Sequence, residues 1–118
     1  MSIEHINRIS TDSAEAEHSA IDSGKVVAGD PQQTLWHCFT NAEQNFSAGH
    51  WQGTPGTHNV NYTEDEVICI LDGKIVLTDT EGNEVSFGKG DIFAISAGFS
   101  GTWTTVETVD KLYVSYEK

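Results

Sequence analysis

Apolar and polar residues alternate with a period of two over most of this chain, which is the pattern of half-buried β-strands. From Val26 onward the runs are short and stand between turn residues at intervals of about eight to twelve residues, as in β-sandwiches and barrels. The pattern predicts strands over Leu35 to Thr40, Phe46 to Trp51, His58 to Tyr62, Glu66 to Leu71, Lys74 to Thr80, Glu84 to Phe87, Ile92 to Ile95, Gly101 to Val106 and Lys111 to Tyr116. Turns are expected at Gly29-Asp30-Pro31, Asp72-Gly73, Glu81-Gly82-Asn83 and Gly88-Lys89-Gly90-Asp91. Asp72-Gly73, between two apolar runs, carries the signal of a tight hairpin. The fold class is all-β, a single barrel over residues 29–118.

Residues 1–28 break the pattern. They are rich in Ser, Ala, Asp and Glu with isolated isoleucines, and read as an N-terminal arm, poorly ordered or docked on the barrel. Ala and Glu favour a short helical turn over Asp12 to Ala20. His5 and His18 receive no role.

The strand from Glu66 is the most informative. Glu66, Ile68 and Ile70 share one face, and Val67, Cys69 and Leu71 share the other. Both faces are apolar apart from the carboxylate, so both require cover, the barrel interior on one side and a second surface on the other. A homodimer is expected.

Composition narrows the function classes. Eighteen acidic against six basic residues give a net charge of −12, which repels phosphate backbones and anionic lipid surfaces, so neither nucleic acid nor membrane is an expected partner. No apolar run reaches bilayer length, the first ten residues lack a signal-peptide pattern, and Cys38 and Cys69 form no CxxC pair. A cytoplasmic protein with both cysteines as thiols is the expectation. Serine-hydrolase, phosphate-loop, dinucleotide and zinc-helix motifs are absent, and no catalytic residue is assigned.

Two segments, Glu66-Val-Ile-Cys-Ile-Leu-Asp-Gly73 and Gly90-Asp-Ile-Phe-Ala-Ile-Ser-Ala-Gly98, resemble the two motifs of the cupin superfamily. Glu66 and Gly73 match the closing half of the first motif. Gly90 and Gly98 match the second, with Ser96 at its proline position. The resemblance extends over residues 34–116 and is nearest to single-domain cupins of the ureidoglycine-aminohydrolase-like and ethanolamine-utilisation group. It implies a jelly-roll barrel, a homodimer and, in metal-binding members, three histidines with one glutamate around a divalent ion.

Here the paired histidine positions of the first motif fall on Asn59 and Asn61, or on Val60 and Tyr62, and the third falls on Gly101. Glu66 alone is kept, so no metal or other cofactor is favoured. A divalent ion, if held, would use Glu66 with His50 or His58. The leading expectation is therefore a small molecule bound at the barrel mouth by Tyr62, Glu66 and Trp103, with a cationic amine suggested by the carboxylate among aromatics. The alternatives are a metal-dependent enzyme of nitrogen or amine metabolism, aminohydrolase-like, and a degenerate structural cupin working through its surface.

Overall fold

The computed structural model describes residues 2–118 as an almost wholly β structure. After a turn of 3-10 helix at Ile3–His5, nine strands follow: β1 Ala16–Ala20, β2 Val26–Gly29, β3 Gln32–Thr40, β4 Phe46–Gly53, β5 Gly56–Asn61, β6 Asp65–Asp79, β7 Glu84–Gly88, β8 Ile92–Ile95 and β9 Ser100–Tyr116. They form one antiparallel sheet in which β1-β3-β4-β9-β5-β2 run side by side, while β6 pairs with β7, β8 and β9. The sheet curls on itself as a jelly-roll half-barrel, the architecture the family resemblance implies.

Two long strands make the frame. β6 and β9 pair from Asp65↔Tyr116 to Asp79↔Gly101, and each also serves a second set of partners. The hairpin expected at Asp72-Gly73 does not form. β6 passes through that dipeptide, and the register with β9 slips there as a bulge, between Ile70 and Ile75. The same slip carries β9 through 107–110, where the alternation had predicted a break between strands. An Asp-Gly pair can supply a positive φ within a bulge as well as in a turn, and the extra residue bends the strand without ending it. Gly73 has φ 91°, and its amide donates to Asp72 Oδ1 at 3.0 Å. The turns at Glu81–Asn83 and Gly88–Asp91 form as expected. Asp79 Oδ1 accepts the amides of Glu81 and Asn83, and Asp91 Oδ2 accepts that of Gly88.

The N-terminal residues also differ from expectation. Ala16–Ala20 is strand β1 on β3, not helix, and β2 lies on β5, so sheet structure begins well before residue 29. A few residues of favourable helix propensity are outweighed by a complete set of backbone hydrogen bonds on an adjacent strand. Further upstream the chain crosses the outer face of the sheet, where Ile9 O accepts from the His50 ring at 3.1 Å and Ser10 O from Cys38 Sγ at 3.4 Å.

Inside the curl lie Ile68, Ile70, Ile75, Leu77, Ile95, Trp103 and Val109, joined by Tyr62, Phe87, Phe93 and Phe99 at the margins. Each fully buried aliphatic of this set contributes about 1.5–3 kcal/mol. The alternation along β6 is as the sequence indicates. Ile68 and Ile70 are inaccessible, whereas Val67 is 48% and Leu71 41% exposed on the outer face.

Gly73 is the position where the frame tolerates least. An added Cβ would sit 2.2 Å from Thr108 O across the β6–β9 bulge, on a backbone already at φ 91°. Gly73→Ala is expected to cost about 1–3 kcal/mol, from positive φ alone, with the clash adding to it. A urea titration of both proteins measures the difference, and a change below ~0.5 kcal/mol, the scale of an ordinary surface substitution, would rule out the bulge as a source of strain.

Candidate functional site

A cavity of about 380 Å³ opens at the concave side of the sheet. Its side chains come from strands that converge by parity. Trp51 comes from β4, His58 from β5, Glu66 from β6, and Trp103 and Lys111 from β9, with Tyr62 just after β5. Trp51 pairs with Lys111 and His58 with Trp103 in the ladder, so these side chains stand beside one another on one face. Residues Ile21 to Lys25, which connect β1 and β2, supply part of the rim.

At its floor lies a buried ion pair. Lys111 Nζ donates to Glu66 Oε2 at 3.1 Å, with Lys111 7% and Glu66 9% exposed. The ammonium also stands 4.7 Å from the ring centre of Trp103 and 5.0 Å from that of Trp51. The two indoles meet edge to face at 5.7 Å. Their own N–H groups are satisfied, Trp103 by Thr105 Oγ1 at 3.0 Å and Trp51 by Gln33 Oε1 at 2.9 Å. A carboxylate and two π faces thus surround one cation.

The neighbours respond to this arrangement. Burial, then the positive charges of Lys111 and Lys25, lower the His58 pKa from 6.5 to about 4, so the imidazole is neutral at pH 7. His58 Nδ1 is buried and has no hydrogen-bond partner among the described residues. Burial, then the charges of Glu66 and Glu64, hold the Tyr62 hydroxyl far above the ordinary tyrosine range. Tyr113, on the same face of β9, is pushed up to about 12 by burial and by Cys38, Glu66 and Glu17.

Tyr62, Glu66 and Trp103, named from the sequence, therefore line one cavity, although Trp103 is almost wholly buried at 1% exposure. His58 joins them. His50 does not: it faces the outer side, bonded to Ile9 O, beside Thr11 and Trp36. Among the described residues no three His, Cys, Asp or Glu side chains are grouped as a metal would require. Gly101, which takes the third histidine position of the cupin motif, has no room for a side chain, because a Cβ there would lie 2.0 Å from Thr78 O. The donors present do not fit a divalent ion, since the one motif carboxylate already faces an ammonium.

Lys111 and Trp51 were not legible as site residues. Lys111 opens a predicted strand, where a lysine ordinarily points to solvent, and only the register with Trp51 and Ile70 turns it inward. A second cleft of about 480 Å³, lined by Leu77, Val85, Phe87, Phe93, Ile95 and Phe99, lies along β6, β7 and β8 and is largely apolar.

Comparison with known proteins places this geometry in context. The model of the EutQ-like cupin domain matches residues 40–113. A Pseudomonas syringae pv. tomato protein of unknown function from the DUF861 family is similar in structure, with TM-score 0.77 and 22% identity over 86% of this chain and 44% of that one. The chain thus spans less than half the length of that protein. The EutQ protein of Clostridium difficile gives TM-score 0.68 and 19% identity, covering 93% of this chain and 80% of that chain. A DUF861 family protein of Thermotoga maritima gives TM-score 0.53 and 28% identity over 54% and 73% of the two chains. No curated protein matches the sequence.

The His58 environment gives a sign to the pH dependence. A base whose folded pKa is depressed contributes its full stability above its unfolded value and loses it as pH falls through the folded one. The stability that His58 contributes should be complete above pH 6.5 and decline toward about pH 4. Urea unfolding of the protein and of His58→Gln across that range checks this, the variant showing the shallower loss; identical slopes would remove His58 as the cause.

Proposed function

The chain belongs to the EutQ-like cupin domain family, and on that premise we propose that it binds a small polar molecule in its inner cavity without a resident metal. Support comes from the Glu66–Lys111 pair. The carboxylate that metal-binding cupins use as a ligand is engaged by an ammonium at 3.1 Å, in a cavity that otherwise has the size and mixed lining of a ligand site. Tyr62, Glu66 and Trp103 remain the binding residues of this reading, and His58, Trp51 and Lys111 join them.

A metal-dependent, aminohydrolase-like activity ranks behind it. That chemistry would require Lys111 to give up Glu66 and would require ligands besides His58, and His50 is held on the opposite face by Ile9 O. A cationic amine fits less well than the sequence suggests, because Lys111 already occupies the carboxylate and both indole faces. The unpaired state of Cys38 and Cys69 accords with a reducing, cytoplasmic setting. No helix of the described residues is long and apolar enough to cross a membrane.

A homodimer accompanies this reading. The outer face presents Phe46, Val67 and Tyr116, which line one apolar depression with Ala94 and Val114, and Ile92 stands 70% exposed on β8 of the same sheet. Apolar surface of this kind marks association. Analytical ultracentrifugation at micromolar concentration is expected to show a dimer that Val67→Asp dissociates; a monomeric parent protein would sink the proposal.

The ligand reading is tested by elemental analysis and a thermal-shift screen of small polar compounds. Protein purified without an affinity tag is expected to carry no stoichiometric metal, and compounds that raise its melting temperature should lose at least ~1 kcal/mol of binding, over fivefold, in Glu66→Gln, the scale of a hydrogen bond to a charged group. Near-stoichiometric metal lost on that substitution would instead favour the metal-dependent enzyme.

A further inference from the structure

Charge inside the cavity narrows what can occupy it. A free cation meets Lys111, whose ammonium already holds Glu66 and faces Trp51 and Trp103 at 5.0 and 4.7 Å. A free anion meets Asp22, Glu64 and Glu66 against Lys25 and Lys111, three acids to two bases, in a chain of net charge −12. Neither sign is favoured. What remains is a molecule without net charge.

The cavity is nevertheless rich in hydrogen-bonding capacity not used within the protein. An ammonium has three N–H donors, of which Lys111 commits one to Glu66 Oε2. Oε1 of Glu66 has no protein partner among the described residues, and His58 Nδ1 has none although it is buried. Tyr62 adds a hydroxyl, and the half-buried rings of Trp51 and Tyr62 offer surfaces on which C–H groups can rest. His58 Nδ1 is the one buried side-chain polar atom without a partner among the described residues, a costly state that a ligand hydroxyl would relieve, while the other free positions can receive further hydroxyls. The volume of about 380 Å³ is within the range of small-ligand sites.

Resting on the metal-free binding reading above, we propose that the occupant is an uncharged polyol, of the size of a four- to six-carbon sugar. Its adjacent hydroxyls use the ion pair as one donor and one acceptor: an oxygen lone pair accepts from Lys111 Nζ, and the neighbouring O–H donates to Glu66 Oε1.

A matched series tests this. Pools of neutral four- to six-carbon aldoses and alditols are compared with the corresponding uronates and amino sugars by thermal shift and tryptophan fluorescence, and binders are titrated calorimetrically. The neutral pool is expected to bind at least tenfold more tightly than either charged pool. Equal or tighter binding by uronates or amino sugars, or silence from the neutral pool, would overturn the proposal. A parallel pool of small non-sugar acids, amines and heterocycles separates the two levels: binding there alone removes the polyol and keeps the small-molecule site, and silence from every pool removes both. Lys111→Met leaves a buried carboxylate unpaired and is expected to fold poorly, so the charge-balanced double substitution Lys111→Met with Glu66→Gln is used beside it. That double variant is expected to fold and to lose at least tenfold in affinity for the neutral binder. Unchanged affinity would show that the ion pair does not hold the ligand.

Discussion

The contact between Lys111 and Glu66 is the constraint on which the interior depends. Two charges are taken almost entirely out of water, and the arrangement holds because each answers the other and the ammonium also faces two indoles. Such a pair gives little net stability over a well-packed apolar substitute, but losing either member is expensive. Its main effect is on order. Glu66 on β6 and Lys111 on β9 must be in one register to meet, and that register brings Trp51, His58 and Trp103 around the same space.

The length of β6 and β9 makes that register demanding. A flat pair of strands this long would not curl around a core, and the bulged segment between Ile70 and Ile75 provides the bend. Beyond the bend Ile75 and Leu77 continue the same apolar face that Ile68 and Ile70 begin. One backbone irregularity therefore serves both the continuity of the core and the concavity that becomes the cavity. The side chains at its floor need no loop to position them, because all but Tyr62 lie on strands.

Much of this was legible in the sequence. Period-two alternation identified the strand segments from Leu35 onward, and the inward parity of Glu66, Ile68 and Ile70 is seen directly in their burial. The cupin motifs located the segment that carries the carboxylate. What the pattern could not carry was long-range register. Asp72-Gly73 reads equally as a turn and as a bulge until β9 is placed opposite it, and Lys111 reads as a surface residue until Trp51 is its neighbour. The strand at Ala16–Ala20 was hidden for a related reason, since its own residues favour helix and only the free side of β3 makes it extended.

The position of the two N-terminal strands has a further consequence. β1 and β2 lie at opposite ends of the β1-β3-β4-β9-β5-β2 run, so one short segment of chain finishes both margins of it. Without that segment β3 and β5 would each present a row of unpaired amides and carbonyls, which are templates for strands of other molecules. The strands that do end the run are five and four residues long, and β1 displays Glu17, His18 and Ser19 to solvent. With its short strands and the polar side chains along β1, this segment thus acts as a guard against edge-to-edge aggregation.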